Sequence, residues 1–192
     1  LVLQALAIAT VLAIALAVIA TRIKALTPIA NAFTAVGLTL PSFALIGVLI
    51  PLVGIGTVPA VVVVVFYALL PILRNALVGL RGVDPEVLEA ARGMGMGPVA
   101  LFTRVRLPLA WPVILTGMRV AGQLGMGVAA VAAYVLGPGL GSYIFTGLVS
   151  LGGANALNYA LVGTLGIVVV ALVLDGLLVL LGRLTISKGL RA

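Results

Sequence analysis

The chain has 192 residues, 64% of them hydrophobic and only 8% charged, with a net charge of +7. A soluble domain carries about 25% charged residues, so most of this surface is built to face lipid rather than water. With no cysteine and no histidine, the sequence excludes disulfides, thiol nucleophiles, the usual zinc and haem ligands and the commonest general base.

The sequence opens on Leu1, which reads as a start inside a longer chain. Spanning helices need about 20 apolar residues, and Val2 to Ala20 supplies the first. It has neither a basic leader region nor an A-x-A site before a soluble domain, so it reads as a span rather than a signal peptide. Residues 25–38 are mildly polar, with Thr27-Pro28 and Asn31, and predict a short helix at or dipping into the interface. Pro41 opens a second span that ends near Val53. Gly54, Gly56 and Pro59 predict a tight turn. A third span runs from Val58 to about Ile72, and a polar segment follows from Arg74 to Pro108. The fourth span is Trp111 to Leu136. A Gly-rich loop covers 137–155, a fifth span covers Tyr159 to Gly182, and the tail is basic. No linker or second domain interrupts residues 1–192.

Basic residues mark the cytoplasmic side of membrane proteins. Arg22 and Lys24 follow span one. Arg74, Arg81, Arg92, Arg104 and Arg106 lie between spans three and four. Arg183, Lys188 and Arg191 follow span five. The two remaining loops have no Lys or Arg. Ten of the eleven basic residues therefore agree with one topology, N-out and C-in.

The eleventh, Arg119, lies about two turns into span four, where a lone arginine costs a few kcal/mol, about 3 on insertion scales. Asp175 sits at similar depth in span five. A direct Arg119–Asp175 pair inside the bundle satisfies both charges. The alternative is an Arg119 that snorkels to the interface while Asp175 bonds hydroxyls or backbone. Span four also carries Gly117, Ala121, Gly125, Ala129 and Ala133 at four-residue spacing, a small-residue stripe that lets another helix backbone come close.

The polar segment has its own order. Asp84 is an N-cap residue, Pro85 suits the first helical position, and Glu86 complements the dipole. A short helix is predicted from Pro85 to about Arg92, ended by the glycines at 93, 95 and 97. Pro98 starts a second one, reaching about Val105. Pro108 and Pro112 bracket the entry to span four, with Trp111 at the membrane boundary. Val87, Leu88, Val99, Leu101 and Phe102 need cover, which suits docking in a partner's groove. The plainer alternative is an interfacial helix on headgroups.

This segment, "EAARGMGMGPVALFTRVRLP", resembles the EAA motif of bacterial ABC importer permeases. Glu89, Ala90, Ala91, Gly95, Val105, Leu107 and Pro108 stand at the motif's spacing, with Val105 in place of Ile. The resemblance implies an all-α membrane protein with about five transmembrane helices and the type I ABC importer permease fold. It implies that loop 84–108 holds a coupling helix seated on an ATP-hydrolysing subunit. Residues 37–150 are further similar to permeases for glycine betaine, choline, carnitine or proline betaine. By that likeness the partners are two ATP-binding subunits, a second permease copy or paralogue, an extracytoplasmic substrate-binding protein and lipid, in a bacterial cytoplasmic membrane, with no nucleic acid. No G-x-x-x-x-G-K-[ST] is present, so ATP and Mg²⁺ belong to the partner subunits and this chain binds no cofactor or metal.

Quaternary ammonium groups sit on aromatic faces, and the available rings are Tyr67, Tyr134, Tyr143, Phe145 and Tyr159. Each also fits interface anchoring. By resemblance the selective cage belongs to the binding protein, leaving the permease a neutral passage. Other readings are a permease for another small solute, such as an amino acid, and a self-sufficient channel or secondary transporter, which places functional charges and repeats at mid-membrane. An intramembrane enzyme would have only Asp175 as an embedded carboxylate.

Overall fold

The computed structural model describes residues 1–23, 25–136, 139–187 and 189. Lys24, Lys188 and Arg191, counted above for topology, lie outside the described residues, as do Gly137, Pro138 and the side chain of Tyr134. The described residues form helices and turns without strands. The helices are α1 (Val2–Arg22), α2 (Leu26–Gly37), α3 (Ser42–Val53), α4 (Thr57–Arg81), α5 (Pro85–Gly93), α6 (Pro98–Leu101), α7 (Leu107–Leu136), α8 (Leu140–Val149) and α9 (Ala156–Thr185). A π-helical turn, Phe102–Arg106, joins α6 to α7 without a break.

Helix is what lipid demands, because it satisfies every backbone polar group within its own segment. Four stretches are long and apolar enough to cross a membrane: α1, α4, Pro98–Ala133 and α9. The predicted second span is different. It is only the 12-residue α3, about 18 Å long at 1.5 Å per residue, against a hydrocarbon core of about 30 Å. It works together with α2, from which it is bent by 98°. Thr27 of α2 takes a hydrogen bond from Arg81 at the end of α4, and Phe33 meets Phe66 edge-on. Ile46 of α3 packs with Ala60, Val63 and Val64. The bent pair thus climbs from one end of α4 to the other, and the described residues hold four spans, or five when this pair is counted as one broken span. The bend is fastened by the Tyr67 hydroxyl, which donates to the carbonyl of Leu40.

Three further boundaries depart from expectation. The third span does not stop at Ile72, because α4 stays helical to Arg81. Leu73, Ala76, Leu77 and Leu80 continue its buried face, so Arg74 marks an exposed position on a helix rather than the start of a loop. The fourth span begins upstream of Trp111, at Pro98, so the predicted second elbow helix is its first part. The Gly-rich stretch is mostly the helix α8. Its glycines permit contact: a Cβ on Gly141 would run into the Ala130 carbonyl oxygen, and one on Gly147 would lie 2.6 Å from that of Ala156. What reads as loop composition is a close helix interface.

The core sits around α4, which packs mainly between α1 and α7. The face of α1 is a run of buried alanines, Ala9, Ala13, Ala17 and Ala20. On α7 the small-residue stripe divides. Gly117 lies against Pro71 and Asn75 of α4, and Ala121 is fully buried. Ala129 and Ala133 instead line a cavity of about 280 Å³ at the far end, with Thr57, Met126 and Leu140.

Gly141→Ala is expected to lower the thermal unfolding temperature of the purified chain, since backbone must move to admit the methyl. Gly47→Ala, in an open helical position, is expected to leave it unchanged or raise it, the helix preference being about 1 kcal/mol for alanine over glycine. Equal effects at the two positions would contradict the close α7–α8 contact.

Candidate functional site

Between α4 and α7 the chain makes an elbow. Asp84 caps α5 by accepting a hydrogen bond from the Glu86 backbone N–H at 2.8 Å, and Pro85 occupies the first turn, where its missing N–H has no consequence. At the other end, Met96 N–H donates to the Ala91 carbonyl at 3.2 Å and Gly95 N–H to that of Arg92 at 2.9 Å. Gly95 is left-handed, with φ +81°. This paired closure satisfies two orphan carbonyls of the helix end and requires a left-handed residue four places after Ala91. The Ala-x-x-x-Gly spacing of the motif is therefore the spacing of a helix terminus. Ala91 is buried at 2% exposure, while Glu89 and Ala90 on the same helix are exposed.

The remaining motif residues lie on the return path. Val105 lies within the π turn, and Leu107 and Pro108 begin α7. Leu107 N–H donates to the Phe102 carbonyl, five residues back. Pro108, which follows at once, has no N–H to give, and such donor loss is a common cause of a widened turn. Leu88, Phe102 and Leu107 pack against the main core beside Leu80 and Val83. Val87, Met94 and Val99 stay uncovered, Val99 at 75% exposure. The motif residues are thus split: Ala91, Val105 and Leu107 face inward to differing degrees, and Glu89, Ala90, Gly95 and Pro108 face outward.

A feature with little trace in the sequence is the brace between elbow and bundle. Arg106 Nε donates to the Leu80 carbonyl at 2.9 Å, which ties the π turn to the last turn of α4. Trp111 Nε1 donates to Thr185 Oγ1 at 2.8 Å, which brings the end of α9 to the same level. The only available hint was the crowding of Arg106, Pro108 and Pro112 into seven residues. Arg22, Arg81 and Arg92 lie close enough to Arg106 to repel it. The basic ends of α1, α4 and α9 and the elbow consequently share one end of the bundle.

Between α7 and α9 the structure brings Arg119 and Asp175 together. Arg119 Nε donates to Oδ1 and Nη2 to Oδ2, both at 2.8 Å. Two parallel bonds match the planar guanidinium to the carboxylate. The side chains are 42% and 25% exposed in the single chain.

Tyr67 and the Tyr143–Tyr159 pair stand apart. Tyr67 is buried at the α2–α3 bend. Tyr143 and Tyr159 stack at 6.3 Å between centroids, joining α8 to the start of α9 at the end opposite the arginines. Among the described residues no cluster of carboxylates could hold a metal.

The model of one protein family, the binding-protein-dependent transport system inner membrane component, matches residues 5–187. The chain belongs to this family. It is 39% identical over 184 residues to the choline transport system permease protein OpuBB of Bacillus subtilis, covering 93% of this chain and 81% of that one. It is 36% identical over 181 residues to the glycine betaine/carnitine/choline transport system permease protein OpuCB of the same organism, covering 94% and 82%. It is 39% identical over 193 residues to the osmoprotectant import permease protein OsmW of Salmonella typhimurium, covering 97% and 87%. The chain is accordingly a multi-pass membrane permease and not an enzyme.

Asp175→Asn is expected to lower the yield and unfolding temperature of the chain in membranes, because it leaves Arg119 without its counter-charge in an apolar span, at a cost of about 3 kcal/mol. The exchange Arg119→Asp with Asp175→Arg should recover part of the loss. Two harmless single changes would show the pair to be dispensable.

Proposed function

We propose that this chain forms the translocation pathway of an ATP-driven importer for quaternary-ammonium osmoprotectants such as glycine betaine, choline or carnitine. The observation that carries the substrate class is the likeness to choline and osmoprotectant permeases over nearly the whole chain. A neutral, small-walled route suits such a solute. The cavity at the far end is bounded by alanines 129, 130, 132 and 133, Thr57 and Met126, with no charged side chain among its described lining. A permanently charged or zwitterionic solute passes such walls without being trapped by a carboxylate.

The elbow is the coupling element in this proposal. Its uncovered Val87, Met94 and Val99 and the exposed Glu89 and Ala90 form the surface that docks in a groove of an ATP-binding subunit. Closure of that subunit pushes α5, and the push reaches α4 and α7 through Arg106 and the π turn. The basic end lies in the cytoplasm, giving N-out and C-in in a bacterial inner membrane. The working assembly holds two ATP-binding subunits with their ATP and Mg²⁺, this chain with a second permease, and a substrate-binding protein that docks at the α8 end. A permease for another small solute is the competing case, distinguished by substrate alone.

Two measurements test this. In proteoliposomes with the ATP-binding subunits and binding protein, glycine betaine, choline and carnitine should compete for uptake while unmethylated glycine should not. The reverse order would remove the substrate class. Gly95→Val, which places a β-branched residue in the left-handed region at about 1–2 kcal/mol, and Glu89→Lys should lower uptake per ATP hydrolysed. Gly95→Asn, tolerated there, should retain it. Unaltered coupling in both of the first two variants would deny the elbow its role.

A further inference from the structure

Between the end of α1 and the elbow lies a cavity of about 470 Å³ that neither helix packing nor the proposed coupling role explains. Three guanidinium groups line it, from Arg22, Arg92 and Arg106, above a floor that includes Val18, Leu101 and Phe102. Among the described residues none of these arginines is paired with a carboxylate. Arg106 spends its Nε on the Leu80 carbonyl and keeps its terminal nitrogens. Arg81 adds to the positive field at Arg106 while its own guanidinium donates to Thr27. Like charges drawn together repel one another, and no carboxylate stands among the residues that line the cavity.

We infer that this cavity binds a phosphate group, presented by an anionic phospholipid of the leaflet that surrounds this end of the bundle. The inference rests on the proposed orientation, which puts the basic end in the cytoplasmic leaflet. Arginine forks suit phosphate oxygens, and basic pockets between transmembrane helices on that side suit anionic headgroups. The apolar floor separates a lipid from a soluble anion. On either side of Arg22, Ile19 of α1 and Ile23 just past its end are 49% and 52% exposed, a surface along which acyl chains can lie while the headgroup enters. One wall of the cavity is α1 and the other is the elbow, so a bound headgroup bridges a membrane span to the element proposed to couple.

The test uses the complete transporter, this chain with its ATP-binding subunits, purified in detergent and studied by native mass spectrometry. Phosphatidylglycerol should be retained in preference to phosphatidylcholine. Arg22→Gln should cut that retention about fivefold, the contribution of one basic residue at an anionic surface, and Arg22→Lys should keep most of it. Equal retention of the two lipids, or undiminished phosphatidylglycerol in Arg22→Gln, would overturn the site. Displacement of the lipid by inorganic phosphate at equal concentration would assign the cavity to a soluble anion instead. Loss of the ATP-binding subunits from Arg22→Gln would assign it to an acidic protein surface. Lipid retention is read without transport, so a chain that carries some other solute would fail the uptake assay and still pass this one.

Discussion

The contact between α4 and α7 is closer than ordinary side chains permit. A Cβ on Gly79 would stand 2.9 Å from the Ala110 carbonyl oxygen, and a Cβ on Gly117 would stand 2.7 Å from Cβ of Asn75. In lipid there is little hydrophobic gain from bringing two apolar helices together, so association rests on van der Waals packing between surfaces that fit. Alanines of α1 add a second close face. The bent α2–α3 pair is then draped along α4, and α9 completes the far side of α7 through Leu174 and Leu178 against Gly122. Every other helix is placed relative to that one seam.

The elbow belongs to the same seam. It is the chain's path from the end of α4 to the start of α7, and Arg106 bonds across that path to Leu80. Its motif then has a physical content separable from any partner. Ala91 is the small buried residue at the helix end, Gly95 the left-handed residue that closes it, and the widened turn before Pro108 returns the chain to α7. The side chains of Glu89 and Ala90 take no part in that closure and are exposed, which leaves them free for the docking proposed above.

Much of this was legible in the sequence because lipid leaves few choices. Apolar runs of about 20 residues become helices, and Asp84-Pro85 starts a helix in almost any setting. The clustering of arginines announced that one end of the bundle would be basic. Three things were hidden. The α2–α3 bend was hidden because Thr39, Leu40 and Pro41 carry no sign that Tyr67 would fasten them. Helix α8 was hidden because glycine signals a turn when read locally and a close approach when read in three dimensions, and Gly141 and Gly147 do the second. The extension of α4 past Ile72 was hidden because Arg74 interrupts hydropathy without interrupting the buried face made by Leu73, Ala76, Leu77 and Leu80.

The unbroken helix from Pro98 to Ala133, 36 residues long, has a mechanical consequence. At 1.5 Å per residue it measures about 54 Å, some 24 Å more than the hydrocarbon it crosses. That excess is taken up by tilt or by helix outside the hydrocarbon, and the far end of the helix reaches the alanines against which α8 rests. Such a beam pivots rather than stretches: each degree of tilt about its midpoint carries either tip by about half an ångström. A tilt of a few degrees about that midpoint would carry the tip beside α8 by more than an ångström.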